Sequence, residues 1–224
     1  VAGLLFVPPL GLGVWMLVRI PPPDAADVAQ RSVRVPMNRA DRRQFFARYA
    51  GGLTFLVSLY LLITVLRSIR ADFAPEIWRS LGTTQQPSIF ATSEMLVALG
   101  VVLVNGLAVL ILDNRQAFFV ALGTCGVGIL LLAVALIGES TGSMSGFAFM
   151  VLSGLGLYLP YVAVHTTIFE RLIAMTRDRG NIGYLMYLAD AFGYLGYVAV
   201  MFGKGAFALP GEFLDFFTAT CGII

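Results

Sequence analysis

Apolar residues run along this chain in blocks of about twenty, separated by shorter polar stretches. A helix needs about 20 such residues to cross a bilayer. On that criterion the pattern predicts seven spans, at 2–18, 50–69, 93–112, 117–137, 146–168, 182–203 and a shortened 213–224. None shows the period-two alternation of a barrel strand, so the expected fold is all-α and multi-pass.

Polar positions divide these spans into two kinds. The first and fourth carry no ionisable group, and the seventh has only Asp215 near its outer end. The second carries Tyr60, Thr64 and Arg67; the third, Glu94 and Asn105; the fifth, Tyr158, Tyr161 and His165; the sixth, Asp190 among Tyr187, Tyr194 and Tyr197. The order apolar, polar, polar repeats with a period of three helices. Consecutive units of three antiparallel helices are inverted repeats, a common plan of secondary transporters.

At about 100° per residue, each polar set falls on one stripe of its helix. Tyr187, Asp190, Tyr194 and Tyr197 lie within about 80° of one another. Such stripes are expected where helices wall an aqueous path. At about 1.5 Å of rise per residue, Asp190 comes near mid-span, level with Tyr60, Tyr158 and Tyr161. Arg67 and Glu94 come toward the outer end, and His165 and Asn105 toward the inner end.

Composition agrees with the pattern. The chain is 58% hydrophobic and 12% charged, against about 25% charged in soluble domains. Its mean hydropathy is +0.84. Val1 and Ile224 both fall inside apolar runs with no signal-peptide pattern, which reads as a fragment. Cys125 and Cys221 are isolated and read as buried or lipid-facing hydrophobes.

Charge gives the orientation, because Lys and Arg accumulate on the cytoplasmic side. The loop at about 19–49 holds Arg19, Arg31, Arg34, Arg39, Arg42, Arg43 and Arg48. With alternating spans, Arg115, Arg171, Arg177 and Arg179 join that side, leaving Arg67, Arg70, Arg79 and Lys204 opposite. The long loop is therefore expected in the cytoplasm. Pro21–Pro23 should end the first helix. "NRADRRQFFARY" reads either as an interfacial helix, with Phe45 and Phe46 among headgroups, or as a plain basic linker.

The triplet pattern and the long basic loop resemble the C-terminal half of the major facilitator superfamily. That resemblance implies a twelve-helix parent, of which residues 1–19 would be the last helix of the N-terminal half. Residues 20–48 would be the central cytoplasmic loop, and 49–224 a C-terminal six-helix bundle truncated at its end. The missing N-terminal six-helix half would then be a partner. "VRVPMNRADRRQFF", "TVLRSIRADFAPEIWRSLG" and "LGLYLPYVAVHTTIFERLIA…GNIGYLMYLADAFGYLGYV" look closer still to an uncharacterised bacterial family of facilitator-like proteins, a domain of unknown function. Ser68 and Ala71 stand where that pattern has acidic residues. "LDNRQAFF" keeps Asp113 and Arg115 of a facilitator loop motif but lacks its glycine and basic run. The implied setting is a bacterial inner membrane.

Asp190 leads the candidates, because an ionisable group at mid-membrane costs about 2.5–3.5 kcal/mol and usually marks a pathway. It reads as a protonatable carboxylate, as a contact for a cationic or hydroxylated solute, or as a structural acceptor for a tyrosine on a neighbouring helix. His165, the only histidine, suits a proton relay or a helix contact. Tyr158, Tyr161, Tyr194, Tyr60 and Asn105 complete the candidate solute- or proton-binding set. Arg67 and Arg70 read as snorkelling cations. If Arg67 faces inward, Glu94 is its expected partner in an outer gate. Gly123, Gly126 and Gly128 should thin the fourth span, and Pro160 should bend the fifth.

No HExxH, GxSxG or dinucleotide fingerprint is present, and no nucleic-acid-binding module. The expectation is no enzyme, no cofactor and no metal. Instead, it is a secondary active transporter of a small polar or amphipathic solute, proton-coupled in its weaker form. The competing expectation is a non-transporting membrane sensor or assembly protein on the same scaffold.

Overall fold

The computed structural model describes residues 4, 7–25, 36–82, 87–108, 110–176, 181–207 and 213–222. Arg31, Arg34, Arg177 and Arg179, used above for orientation, lie outside the described residues, as does the side chain of Lys204. Among the described residues every regular element is a helix. The chain divides into two compact units, Val1–Val33 and Arg34–Ile224.

The first unit contains α1 (Val7–Val18), whose residues are all exposed. The helix ends ahead of Pro21–Pro23, as proline geometry requires. The Arg19 guanidinium sits 4.5 Å over the Trp15 ring.

The second unit contains α2 (Arg39–Arg48), α3 (Ala50–Asp72), α4 (Ala74–Ser80), α5 (Pro87–Ala108), α6 (Asn114–Ser140) and α7 (Gly146–Ala163). A π-helical segment, Val164–Ile168, joins α7 to α8 (Phe169–Thr176); α9 (Ile182–Phe207) and α10 (Phe213–Cys221) follow.

Five helical stretches are long and apolar enough to cross a membrane: Ala50–Asp72, Ser88–Ala108, Asn114–Ser140, Gly146–Met175 and Ile182–Gly203. The chain is a multi-pass membrane protein. Among the described residues these five account for the second to sixth of the seven expected spans. The first and seventh coincide with α1, of 12 residues, and α10, of nine, each bordering residues outside the description.

Side-chain register fixes the directions. Tyr60 meets Asp190 and Asp72 meets Tyr197, so α3 and α9 run parallel. Tyr60 stacks on Tyr161 while Arg70 reaches the Met150 carbonyl, so α3 and α7 run antiparallel. Gly128 lies against Pro160 and Gly138 against Met144, so α6 and α7 are antiparallel as well. These directions match spans that cross in alternation. Of the five, α3 and α7 are the most enclosed, and α5 and α9 the least.

The tightest pairing joins α6 to α7. Ala117, Ala121, Cys125, Gly128, Leu132, Ala135 and Gly138 form the buried stripe of α6, mostly small residues at helical spacing. Small residues let two backbones approach. A Cβ on Gly128 would lie 2.6 Å from the Pro160 ring and 2.9 Å from the Gly156 carbonyl oxygen. That carbonyl is the one Pro160 leaves without its helical donor. A Cβ on Gly156 would meet the Gly128 oxygen and the Leu132 nitrogen, each at 2.9 Å. Gly123 and Gly126, expected to share this role, face open space. The opposite side of α6 exposes Val127, Leu130, Val134 and Ile137, a surface suited to lipid. Gly142 closes the α6–α7 hairpin at φ +65°, where a side chain would be strained, and the Ser143 amide bonds back to the Gly138 carbonyl.

Gly156→Ala should lower stability by about 1–3 kcal/mol through overpacking. Gly123→Ala should raise it by up to about 1 kcal/mol through helix propensity. Thermal unfolding of the purified chain in detergent checks both, and equal effects at the two positions would contradict the close packing at Gly156.

Candidate functional site

The site grows out of α3. Its stripe of Tyr60, Thr64 and Arg67 faces α7 and α9 rather than lipid. Tyr60 is 1% exposed, and its hydroxyl donates to Asp190 Oδ1 at 2.7 Å. That length is usual for an O–H···O hydrogen bond. Gly193, one turn beyond Asp190, brings α9 within 3.1 Å of Thr64, measured from the Cβ it lacks. The absence of a side chain there lets α9 approach closely enough for Asp190 to reach Tyr60.

From α7 comes Tyr161, stacked on Tyr60 with centroids 5.3 Å apart and planes inclined by 23°. His165 stands edge-on to both rings, 6.1 Å from Tyr60 and 6.0 Å from Tyr161. It lies in the π-helical segment, where the extra residue per turn shifts the register of side chains after Ala163. Pro160, just upstream, supplies the break in hydrogen bonding that such a segment accommodates. The fifth span therefore departs from a plain α-helix close to the site, as Pro160 predicts.

Arg67 closes the cluster. Its guanidinium lies 4.4 Å over Tyr161 and 5.7 Å from the Tyr158 centroid. Cation–π contacts of this kind are worth about 0.5–2 kcal/mol. Its Nε is buried without a hydrogen bond, and no carboxylate among the described residues pairs with it. The mid-span cluster thus holds an aspartate, an arginine, a histidine and three tyrosines from three helices. Tyr194 stands beside it, half exposed, with Tyr161, Asp190 and Arg67 as electrostatic neighbours. The depths assigned to Asp190, Tyr60, Tyr158 and Tyr161 from the sequence agree with these contacts.

Three expectations about pairing and placement differ from the structure. Glu94 pairs with Arg70, not with Arg67. Arg70 Nη2 reaches Glu94 Oε1 at 2.8 Å and Nη1 reaches Oε2 at 3.3 Å, a forked contact. Arg70 does not snorkel: it is 1% exposed, and Nη2 also donates to the Met150 carbonyl at 2.8 Å. It reaches there because Gly154 leaves room; a Cβ at that position would lie 2.8 Å from Nη2. The deciding signal is that glycine, since Arg67 and Arg70 are indistinguishable by type and spacing. Asn105 also stays away from the cluster, donating to the Val101 carbonyl of its own helix at 2.9 Å. Amides in a helix readily bond back in this way.

Asp72, not singled out from the sequence, joins α3 to α9 further along by accepting at Oδ2 from the Tyr197 hydroxyl. Tyr187, on the stripe of Asp190, is exposed. Asp113 caps α6 by accepting from the Gln116 amide at 2.7 Å, a structural task that accounts for it without a facilitator motif. Arg171 donates to Asn114 Oδ1 at 2.6 Å, tying α8 to the start of α6. Cys125 and Cys221 are free thiols and both buried, as expected. No group of three or more potential metal ligands forms among the described residues.

With this geometry in place, the comparisons with known proteins are informative about family alone. The sequence profile of a family of unknown function, DUF5690, matches residues 1–224. The chain belongs to that family. No curated protein and no solved structure matches it. For this DUF5690 chain the polar cluster, rather than a relative, carries the functional reading.

Glu94→Gln should destabilise by about 1–3 kcal/mol. Breaking a buried pair costs about 3–5 kcal/mol, and Glu94, whose side chain is 47% exposed, recovers part of that from solvent. Replacing both partners, Arg70→Met with Glu94→Met, should recover more than half of the loss. Thermal midpoints in detergent measure both; an unchanged Glu94→Gln midpoint would sink the pairing.

Proposed function

We propose that this chain is a secondary active transporter, moving a small polar or amphipathic solute by alternating access, with Asp190 as a protonatable group at its centre. The observation that carries this reading is the 2.7 Å hydrogen bond from Tyr60 to Asp190, which joins α3 to α9 at mid-span. When Asp190 is ionised, it accepts from Tyr60. Once protonated, it keeps an accepting oxygen but loses its charge, and the bond from Tyr60 weakens. A proton arriving at Asp190 thus weakens a contact between two membrane helices. A change of that kind is what couples a proton to the rocking of one helix group against another.

The surroundings support the same reading. Arg67, without a carboxylate partner among the described residues, offers a cation to an anionic or hydroxylated solute group, and the faces of Tyr158 and Tyr161 offer stacking surfaces. Ionisable groups placed within membrane helices usually mark such pathways. The triplet order of polar and apolar spans and the basic loop before α3 favour a facilitator-type architecture. The same features favour a basic loop on the cytoplasmic side of a bacterial inner membrane.

A second reading, a non-transporting sensor or assembly protein, draws on the burial of Tyr60 and its stacking on Tyr161, which fill the space between α3 and α7. In that reading the Tyr60–Asp190 bond only holds helices together.

Metabolite profiling of a strain lacking the protein identifies the solute. Uptake of that solute into vesicles bearing the full-length protein then separates the two readings. Asp190→Asn should abolish the pH dependence of uptake while the protein remains folded. Tyr60→Phe should keep the pH dependence and slow uptake by about tenfold, the effect of losing one charged hydrogen bond of about 1.5 kcal/mol. Unchanged pH-dependent uptake in Asp190→Asn removes Asp190 from the mechanism.

A further inference from the structure

Helix α2 ends one residue before the membrane-spanning α3 begins. Its start is fixed by a reciprocal cap: the Asp41 amide donates to Asn38 Oδ1 at 2.9 Å, and the Asn38 amide donates to Asp41 Oδ2 at 3.0 Å. One face of α2 is anchored. Phe45 is 5% exposed and packs with Leu53, Leu56, Ile173 and Leu185.

The other face carries Arg39, Arg42, Arg43 and Phe46, at i, i+3, i+4 and i+7. Together with Ala47 and Tyr184 of α9, these residues line an open groove of about 490 Å³. The groove has an apolar floor, from Phe46, Ala47 and the Tyr184 ring, and Arg39, Arg42 and Arg43 form the rest of its lining. Arg42 lies 5.7 Å from the Tyr184 centroid. None of the three arginines makes an ion pair with a described residue. Asp41, the one acid on α2, is already committed to the helix cap.

We infer that this groove binds the headgroup of an anionic phospholipid from the surrounding bilayer. The connection to α3 sets it at the edge of the membrane, where lipid phosphates lie. Three arginines present planar forks that match phosphate oxygens, and basic pockets beside membrane helices recognise anionic headgroups. The apolar floor accommodates the glycerol and first methylenes of the lipid, which a free phosphate ion lacks. The site is separate from the Asp190 cluster and stands whether or not the chain transports.

The test is native mass spectrometry of the purified full-length chain in detergent, with dioleoyl-phosphatidylglycerol or dioleoyl-phosphatidylcholine added at matched concentrations. The wild-type protein should retain phosphatidylglycerol selectively. Each arginine near a headgroup contributes about fivefold in affinity, so Arg39→Gln, Arg42→Gln and Arg43→Gln together should weaken it on the order of 100-fold. Arg42→Gln alone, with an expected loss of about fivefold, decides the matter should the triple variant not fold. Three results would each overturn the inference. They are equal retention of the two lipids, phosphatidylglycerol affinity unchanged by the substitutions, or displacement of the lipid by equimolar inorganic phosphate, which would make the ligand a free anion.

Discussion

A polar side chain enclosed among membrane helices has no water to turn to, so its partner must come from another helix. Helix α3 meets that constraint at successive turns. Tyr60 holds Asp190 of α9, Arg67 lies on Tyr161 of α7, Arg70 grips Glu94 of α5, and Asp72 receives Tyr197 of α9. The first three set polar or charged groups against a partner on another helix, and the fourth, at a more exposed place, ties the ends of α3 and α9. Together they make α3 the strut to which three other spans are tied. The polar residues that look like liabilities in a hydropathy plot are therefore what sets helix order and register.

Small residues decide where those contacts form. Gly193 lets α9 come up against Thr64, next to the Tyr60–Asp190 bond. Gly154 opens the space in which Arg70 lies, and Gly128 with Gly156 seats α6 on the segment of α7 that carries Pro160. The π-helical segment after Pro160 then presents His165 to the two stacked tyrosines. Packing and polarity thus act on the same helices: close approach at glycine is what brings the charged and aromatic groups within reach of one another.

The two ends of the bundle differ in character. At the start of α3, arginines on α2 line an apolar groove, and no acid among the described residues pairs with them. At its far end, Arg70 is enclosed and paired. The first arrangement is suited to meeting the bilayer, the second to holding helices together, and Arg67 between them keeps a guanidinium inside the protein that no carboxylate among the described residues pairs. Three uses of one residue type follow from depth and neighbours alone.

Much of this was legible in the residue pattern. The length of the apolar runs marked the five spans, because hydrocarbon thickness imposes it. The stripe of Tyr187, Asp190, Tyr194 and Tyr197 pointed to one face of α9, and the level of Asp190 matched that of Tyr60 and Tyr161, because helical rise is constant. Pro160 announced irregularity in the fifth span, and Cys125 announced burial. What only the tertiary structure decided was pairing across helices. Arg67 and Arg70 stand one turn apart, with the same charge, and both lie within reach of a neighbouring span. Which of them took Glu94 depended on the room left by Gly154 and on the carbonyl of Met150, neighbours far away in the chain. Asn105 likewise took a partner that spacing did not announce, the Val101 carbonyl of its own helix.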